Sequence, residues 1–454
     1  MMMMSFILKK RRVITLLFVT VPLILLAWTF RQVWTMQLQP PFGQIPSANI
    51  TGSTVLEGQP ASLVRVNGTR ALLISAYLEH RTTQKQVRII AIMLRSQKVA
   101  FECHLRCQEK LHISKGVISI HEDHFNFPYG TTDIMCSLPS GCETPSHVAV
   151  TSTNTKHEDL DKTDEGFLEV KNQKEVTDSF PYNFTVCFST MYNFTNILQL
   201  VQSLEMLQLL GVNRVVIYKT NCSVDTQRVL DYYTNKGLVE VIPWSLSNYL
   251  NVSRRAFHHQ FPADLHYFGQ ISALNDFLYR YMYKSRYVAL HDPDELILPQ
   301  KVDSWLELLP LLEKKLGADK CYVFQNNWFP SEFMLLPPTP QTLPPQDQWQ
   351  NISGMNFLAH LYREPVLSQN YKTIVNPRAV FSTTVHGVLS SKKGCASVDR
   401  NVARMYHVKS RGPPQHKPEQ MIYDGRILSF SDRLIPAVSN QLRQTGLLPA
   451  DNTM

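Results

Sequence analysis

The sequence predicts an α/β fold, with a mostly parallel sheet and helices on both faces, in the residues that follow Phe180. Short apolar runs typical of strands alternate there with segments in which apolar residues recur at helical spacing. The predicted strands are 186–188, 215–218, 238–242 and 287–290. Strands and helices that alternate in this way favour βαβ units, whose parallel sheet is covered by helices on both sides.

Three helices are predicted between these strands. The first has an apolar face and ends near Gly211, a residue type that suits the position after a helix. The second is capped at its start by Asp225, and the third has its apolar face within 271–282. Because ligands of such sheets bind outside the carboxyl ends of the strands, the residues after Leu290 are the predicted location of a site.

The rest of the chain differs in composition from this region. Residues 61–150 contain runs of β-branched and apolar residues that predict a small β-rich domain. Residues 151–179 are polar and charged and are interpreted as a linker. The α/β region then extends over 180–433, and 434–454 are interpreted as a C-terminal tail.

The N-terminus has the pattern of a membrane anchor. Four basic residues at 9–12 precede an uncharged, largely apolar stretch of 18 residues at 13–30, which is long enough to span a bilayer. The positive charge before this stretch predicts a cytosolic tail over 1–12. A cleaved signal peptide is the alternative, but no small-x-small cleavage site follows the run. Residues 31–60 contain prolines and glycines without a regular period and are interpreted as a stem.

Two further features predict that the chain beyond the anchor is lumenal. Seven glycosylation sequons follow the apolar run, at Asn49, Asn67, Asn183, Asn193, Asn221, Asn251 and Asn351. All eight cysteines also follow it, and an even number in an oxidising compartment favours disulfides. A zinc site is the less favoured alternative because the cysteine spacings are poor, and its ligands would be Cys103, Cys107, Cys136 and Cys142.

The net charge of +8 is weak evidence for a nucleic acid partner. Four of the positive charges lie in the N-terminal cluster, so the excess elsewhere is small. No compact basic patch interleaved with aromatic residues stands out in the sequence. We therefore predict no nucleic acid partner, and a membrane contact through the N-terminal anchor.

A pair of carboxylates follows the last predicted strand. In an extended chain Asp292 and Asp294 point to the same side, and Pro293 favours that conformation in the residue before it. Two neighbouring carboxylates repel each other unless a cation lies between them, and oxygen ligands suit Mg²⁺ or Mn²⁺. The alternative is an ordinary Asp-Pro-Asp turn at a strand end. The position after a buried strand favours the metal site.

The motif Asp292-Pro-Asp294-Glu295, followed by Leu-Ile-Leu-Pro, resembles the D-x-D-E element of glycosyltransferase family 92. Pro293 departs from that family's pattern, in which an aliphatic residue is expected. The resemblance covers roughly residues 70 to 412 by the order of its motifs. Its other matching segments are 75–77, 87–90, 187–218, 270–276, 372–378, 385–386 and 406–409.

The resemblance implies a GT-A-like, Rossmann-type fold. Taken with the predicted N-terminal anchor, it leads us to expect a type II single-pass protein of the Golgi membrane. It also implies a UDP-sugar donor, with UDP-galactose as the expected one, and a glycan of a glycoprotein as the acceptor. The expected reaction is inverting β-galactosyl transfer that depends on Mn²⁺ or Mg²⁺.

Roles for individual residues follow from this chemistry. Asp292 and Asp294 are expected to bind the metal and the nucleotide sugar, with His407 or His386 completing the coordination. Lys372 and Arg378 are candidates for contacts with the diphosphate, although plain surface charge is the alternative. Inversion needs one base, and three candidates remain open: Glu295, Asp276 and Asp424. Trp328 is expected either to stack on a sugar or to lie in the core.

Two other functions compete with this interpretation. A metal-dependent phosphoesterase also needs clustered carboxylates, but usually several of them spread over different strands. A non-catalytic, lectin-like membrane glycoprotein would bind glycans through the β-rich region 61–150 without a nucleotide or a metal.

Overall fold

The computed structural model of the chain describes residues 63–108, 110–153, 166–338, 348–365, 368–410 and 416–449. These residues belong to one compact unit, which extends over 55–454. The predicted cytosolic tail, anchor and stem lie outside the described residues.

The first sheet contains the strands β1 (Val64–Arg65), β2 (Ala71–Glu79), β3 (Gln86–Leu94), β4 (Phe101–Cys107), β5 (Lys110–Ile120), β6 (Tyr129–Ser137), β7 (His147–Ser152) and β8 (Leu168–Lys171). They are hydrogen-bonded in the order β1-β2-β3-β6-β5-β4-β7-β8. These neighbouring strands are antiparallel. A parallel pairing of β2 with β8 closes seven of the strands into a barrel, which removes their unpaired edges.

The barrel has its own apolar core and two covalent cross-links. Leu73, Ile89 and Phe101 are buried in that core. Disulfides join Cys103 to Cys136 and Cys107 to Cys142. Because all four sulfur atoms are consumed in these bonds, the alternative of a zinc site at these cysteines is excluded.

The second sheet contains β9 (Tyr182–Met191), β10 (Arg214–Lys219), β11 (Val239–Pro243), β12 (Ser285–Leu290), β13 (Glu295–Pro299), β14 (Cys321–Pro330), β16 (Ser368–Val375), β19 (Cys395–Ser397) and β20 (Ala403–Lys409). Two short ribbons pair β15 (Tyr362–Arg363) with β21 (Ile422–Tyr423) and β17 (Val380–Thr384) with β18 (Gly387–Ser391). The order of the large sheet is β11-β10-β9-β12-β16-β14-β20-β13, and β19 pairs with β14.

The helices of the described residues are α1 (Ile197–Leu209), α2 (Val224–Asn235), α3 (Gln270–Arg280), α4 (Trp305–Leu316) and α5 (Ser431–Gln444). The hydroxyl of Ser223 caps α2 by accepting from the amide of Thr226. Asp225, which was predicted to be the cap, instead lies in the first turn, where a negative charge is also favourable. After α1 the chain turns at Gly211, whose φ of 95° favours glycine.

Helix α3 packs against both the barrel and the second sheet. Leu274 and Phe277 on this helix share one apolar core with Ile90 and Ile92 of the barrel strand β3. The same core contains Val288 and Leu290 of β12. The barrel is therefore packed directly against the helix that precedes the Asp-Pro-Asp motif.

The prediction of a GT-A-like, Rossmann-type, mostly parallel sheet with helices on both faces is wrong for this chain. The four predicted strands exist, and β11, β10, β9 and β12 are parallel neighbours. Beyond β12 the directions are mixed, because β16 is antiparallel to both β12 and β14, and β13 is antiparallel to β20. Seven strands of the first sheet, β2 to β8, close into a barrel. Apolar periodicity identifies a segment as helix or strand, but it does not identify the strand with which that segment pairs.

The predicted localisation as a type II single-pass protein of the Golgi membrane is also corrected. Among the described residues, no helix is both long enough and apolar enough to cross a bilayer. The segment 13–30, on which that prediction depended, is not among them.

Candidate active site

The candidate site lies where the parallel strands β9, β10 and β12 end. Asp292 and Asp294 follow β12 in the short segment that leads to β13. Among the strands that the structure describes, β13 pairs only with β20, and the register of that pair places Glu295 opposite His407. The Asp-Pro-Asp segment therefore runs from the end of β12 to β13, and it places Asp294 close to His407.

Asp294, Glu295 and His407 form a cluster in which one ligand atom of each lies within 4.8 Å of the others. Nε2 of His407 is 3.4 Å from Oδ2 of Asp294. This nitrogen is buried and makes no hydrogen bond among the described residues. The other ring nitrogen, Nδ1, lies 3.2 Å from the side-chain nitrogen Nδ2 of Asn326 and 3.6 Å from Oε1 of Glu295. The imidazole is thus fixed on one side, and its Nε2 side faces the carboxylate.

Asp292 is held by polar groups from two other elements. Ser189 donates to its Oδ1 at 3.0 Å, and Gln270 at the start of α3 approaches the same oxygen at 3.5 Å. Ser189 lies where the pairing of β9 with β10 shifts register, and its φ of 51° is unusual for a residue with a side chain. Such strained positions persist where the surrounding structure enforces them, often at functional sites. Here the irregularity directs the hydroxyl of Ser189 to Asp292.

Lys372 is the cation at the centre of the site. Its Nζ lies 3.0 Å from Oδ2 of Asp292 and 3.1 Å from Oε2 of Glu295, and its side chain is only 3% exposed. Burial works to lower the pKa of Lys372, but the two carboxylates outweigh it and raise the pKa above its usual value. Burial likewise opposes ionisation of Asp292, and the charge of Lys372 outweighs it, so the pKa of Asp292 is lowered. Both groups are therefore charged at neutral pH.

Glu295 is the most enclosed of the three carboxylates. Its side chain is 2% exposed, and its Oε2 accepts a hydrogen bond of 2.8 Å from the backbone amide of Asp292. Burial raises the pKa of Glu295 above its usual value, although Lys372 opposes this effect. Burial also opposes ionisation of Asp294, but His407 and Lys409 lower its pKa overall. Neighbouring carboxyl groups with shifts in opposite directions are a common arrangement in active sites.

Lys409 was not singled out from the sequence as a site residue. Its Nζ lies 3.2 Å from Oδ2 of Asp294, and half of its side chain is exposed. The charge of Asp294 raises the pKa of Lys409. Because residues two apart on a strand point to the same side, the spacing of Lys409 from His407 on β20 is the signal that identifies it.

The aspartates open onto a cavity of about 340 Å³. Its lining includes the charged residues Asp292, Asp294 and Lys409 and the aromatic residues Tyr192 and Tyr267. The ring of Tyr192 is stacked on Phe268 at 4.0 Å between centroids, which fixes its position. A cavity of this kind combines charged groups suited to phosphate or metal with aromatic faces suited to a base or a sugar.

The family model described as glycosyltransferase family 92 matches residues 182–444. This chain belongs to glycosyltransferase family 92. The resemblance read from the ordered motifs is thereby confirmed, and the matched residues contain the whole Asp294–Glu295–His407 cluster.

Two relatives from Caenorhabditis elegans are similar to parts of this family 92 member. A glycosyltransferase family 92 protein is 28% identical over 131 residues, which cover 29% of this chain and 26% of that protein. The beta-1,4-galactosyltransferase galt-1 is 23% identical over 245 residues, which cover 50% of this chain and 51% of that protein. The chain thus spans about half or less of the length of these relatives.

Asp276 does not lie at the candidate site of this family 92 member. It is fully buried on α3, and its two oxygens accept four hydrogen bonds, from Ser75, Tyr77, Tyr218 and Arg280. Burial opposes its ionisation, but Arg280 and the other donors lower the pKa of Asp276 to about 2. A carboxylate with every oxygen occupied in this way links the barrel to α3, and it is not available as a base.

Asp424 and Arg378 are also placed away from the aspartate pair. Asp424 accepts from Arg404 and Tyr406, whose positions on β20 alternate with that of His407. Arg378 donates to the carbonyls of Met282 and Ser285 at 2.7 Å, at the end of β12 opposite to the aspartates. Both residues stabilise the fold locally, and the structure does not bring either of them to the cavity.

His386 and Trp328 lie near the site but outside the cluster. His386 is in the turn between β17 and β18, and burial together with the charge of Lys372 lowers its pKa to about 4. The ring of Trp328 lies 4.8 Å from the ring of His407 and is 3% exposed. Trp328 is therefore buried against His407, and it is not among the residues that line the cavity.

Proposed function

We propose that the chain transfers galactose from UDP-galactose to a glycan of a glycoprotein, with inversion at the transferred carbon. Membership of family 92 supports sugar transfer, and the name of the relative galt-1 supports galactose as the donor sugar. The observation that carries the proposal is the Asp294–Glu295–His407 cluster, with Asp292 beside it, at the mouth of the cavity.

A divalent cation, Mn²⁺ or Mg²⁺, fits this set of donors. Asp294 offers carboxylate oxygens, and His407 offers a buried nitrogen that lacks a hydrogen bond among the described residues. Oxygen and imidazole ligands suit both ions, Mn²⁺ in particular. When bound, such a cation would stabilise the negative charge that grows on the departing diphosphate.

The two lysines have different roles in this proposal. Lys372 is buried between Asp292 and Glu295 and fixes their positions. Lys409 is half exposed, lines the cavity and forms an ion pair with Asp294. Asp294 would hold the cation, and the ammonium group of Lys409 would contact the diphosphate of the donor, which is a favourable charge-assisted interaction.

The base for the acceptor hydroxyl is assigned to Glu295. Of the three candidates from the sequence, Asp276 and Asp424 are occupied by buried donors at other places in the fold. Glu295 lies in the cluster, and burial raises its pKa toward the range in which a carboxylate accepts a proton efficiently.

A donor screen with the purified full-length chain tests the proposal. UDP-galactose, UDP-glucose and UDP-N-acetylglucosamine are supplied with a glycoprotein acceptor, with Mn²⁺ or with a chelator, and incorporation of labelled sugar is measured. We expect incorporation from UDP-galactose that requires Mn²⁺, and a product that a β-specific galactosidase cleaves. Incorporation of another sugar, or a product resistant to that enzyme, would contradict the donor or the stereochemistry.

Asp294→Asn is the matched variant for this screen. We expect it to lower incorporation on the order of 100-fold or more, because one electrostatic contact to the developing charge is lost. Asp178→Asn is the control, since Asp178 is exposed and lies before β9. Equal activity of the two variants would contradict the role of Asp294.

A further inference from the structure

Two cysteines outside the barrel lie directly opposite each other in the second sheet. Strands β14 and β19 run parallel, and their register pairs Cys321 with Cys395. The amide of Cys321 donates to the carbonyl of Gly394 at 3.1 Å, which fixes the strands at this point. The two thiols lie close enough to shift each other's pKa, which is raised at Cys321 and lowered at Cys395. Neighbouring strands lie about 4.8 Å apart, within the range of Cα separations that a disulfide spans.

We propose that Cys321 and Cys395 form a third disulfide, and that this bond is the one of the three that reductants reach first. Both residues carry free thiols in the structure. The chain already holds two disulfides in the barrel, so its mature state is compatible with an oxidising environment. Cys395 is exposed, whereas the four barrel cysteines are at most 4% exposed.

The chemistry is a thiol–disulfide exchange with an external disulfide, such as oxidised glutathione or a protein disulfide. The thiolate of Cys395 attacks the oxidant and forms a mixed disulfide, and one thiol of the oxidant leaves. The thiol of Cys321 then loses its proton and attacks the sulfur of Cys395, which releases the second thiol. Two protons and two electrons pass to the oxidant. The neighbouring Cys321 lowers the pKa of Cys395, which favours Cys395 as the first nucleophile.

The location of the pair connects this bond to the candidate active site. Strand β14 lies between β16, which carries Lys372, and β20, which carries His407. Further along β14, Asn326 contacts Nδ1 of His407 and Trp328 packs on its ring. The bond would close a loop from 321 to 395 that contains Lys372 and would anchor the first residue of β14. Its formation therefore restricts the strand that supports His407.

Peptide mapping of the full-length chain tests the bond independently of any activity. The unreduced protein is treated with an alkylating reagent, digested with trypsin and analysed by mass spectrometry. Trypsin cleaves after Lys320 and Lys393, and the resulting peptides 321–363 and 394–400 contain no other cysteine. Because Asn351 in the first peptide lies in a glycosylation sequon, N-linked glycans are removed first. We then expect one linked species, two hydrogen atoms lighter than the sum of the two deglycosylated peptides. Alkylation of both cysteines, or a link from either one to Cys187 or Cys222, would overturn the proposal.

Reduction under native conditions tests the order of reactivity. With increasing reduced glutathione, we expect Cys321 and Cys395 to become alkylated before any barrel cysteine. Thermal unfolding gives a second readout, because opening a long loop destabilises the folded state. Cys395→Ser should unfold several degrees lower than the untreated chain, and reductant should not lower it further until the barrel disulfides open. Barrel cysteines that react first would overturn the order.

Cys222→Ser is the matched control, since Cys222 is a half-buried free thiol on a different segment. We expect its peptide map at 321 and 395 and its unfolding temperature to match those of the unmodified chain. Sugar transfer before and after mild reduction is a further readout that rests on the proposed function. A lost link with unchanged transfer would show that the bond stabilises the fold without acting on the site, whereas the peptide map alone decides whether the bond exists.

Discussion

Nε2 of His407 lies 3.4 Å from Oδ2 of Asp294 and forms no hydrogen bond within the described residues. The pairing of β13 with β20 creates this proximity, since it places Glu295 opposite His407. Buried polar atoms nearly always have a partner, so a nitrogen without one beside a carboxylate indicates a missing ligand or a proton to be moved. His407 is therefore either a ligand of the cation or a group that transfers a proton. Measurements of Mn²⁺ affinity and of turnover distinguish these two roles.

Replacing His407 with alanine is expected to lower the affinity for Mn²⁺ at least about tenfold, because one ligand is lost. Titration calorimetry or Mn²⁺ electron paramagnetic resonance on the full-length chain measures this directly. His259→Ala is the control, since His259 is exposed. An unchanged Mn²⁺ affinity combined with lost turnover would instead assign His407 to proton transfer, with Glu295 as its partner at 3.6 Å.

Replacing Lys409 with methionine is expected to raise KM for the nucleotide sugar about 10- to 100-fold, the effect of losing one charged hydrogen bond. Lys409→Arg should retain most of the affinity because it keeps the positive charge. Lys392→Met is the control, since Lys392 is exposed on a different segment. Initial rates at varied donor concentration, together with inhibition by UDP, measure the effect. Equal KM values for the methionine and arginine variants would exclude a diphosphate contact.

Replacing Asp276 with asparagine is expected to destabilise the fold by about 3–5 kcal/mol, because the buried Arg280 loses its partner. Urea unfolding at pH 7 measures the difference. A folded variant of normal stability that lacks transfer activity would instead restore Asp276 as a base. The pKa of Asp276 is about 2 in the folded chain and about 3.9 when unfolded. The contribution of ionised Asp276 to the stability of the folded chain is therefore complete above about pH 4 and is lost as the pH falls toward 2.

His266 is expected to make stability depend on pH in the mildly acidic range. It is buried against Phe125, with ring centroids 4.2 Å apart, and burial followed by the nearby His386 lowers its pKa to about 3. The unfolded chain binds this proton near pH 6.5, so the stabilisation by neutral His266 is complete above that pH and is lost as the pH falls toward 3.

His266→Gln is expected to remove this dependence. Between pH 6.5 and 5 the unmodified chain should lose about 2 kcal/mol more stability than the variant, as measured by urea unfolding at each pH. His259→Gln, at an exposed position, is the control and should behave like the unmodified chain. A loss of stability that is equal in all three proteins would show that His266 is not the titrating group.

The amino-acid sequence by itself determined the local features of this protein. The strands of the parallel segment, the apolar faces of α1 and α3 and the carboxylates after β12 were all predicted, because periodicity and turn chemistry act over a few neighbouring residues. The ordered motifs were sufficient to identify the family. These features can be predicted from the sequence because the residues that determine them lie close together along the chain.

Only the tertiary structure decided which strands pair and which charged residues meet. The closure of β2 with β8, the antiparallel strand β16 beside β12, and the placement of Glu295 opposite His407 depend on contacts between distant segments. The sequence does not show whether a charged side chain lies at a functional site or stabilises the fold. Lys409 lines the cavity, whereas Asp276 is surrounded by four donors, because the surrounding elements decide what each of them faces.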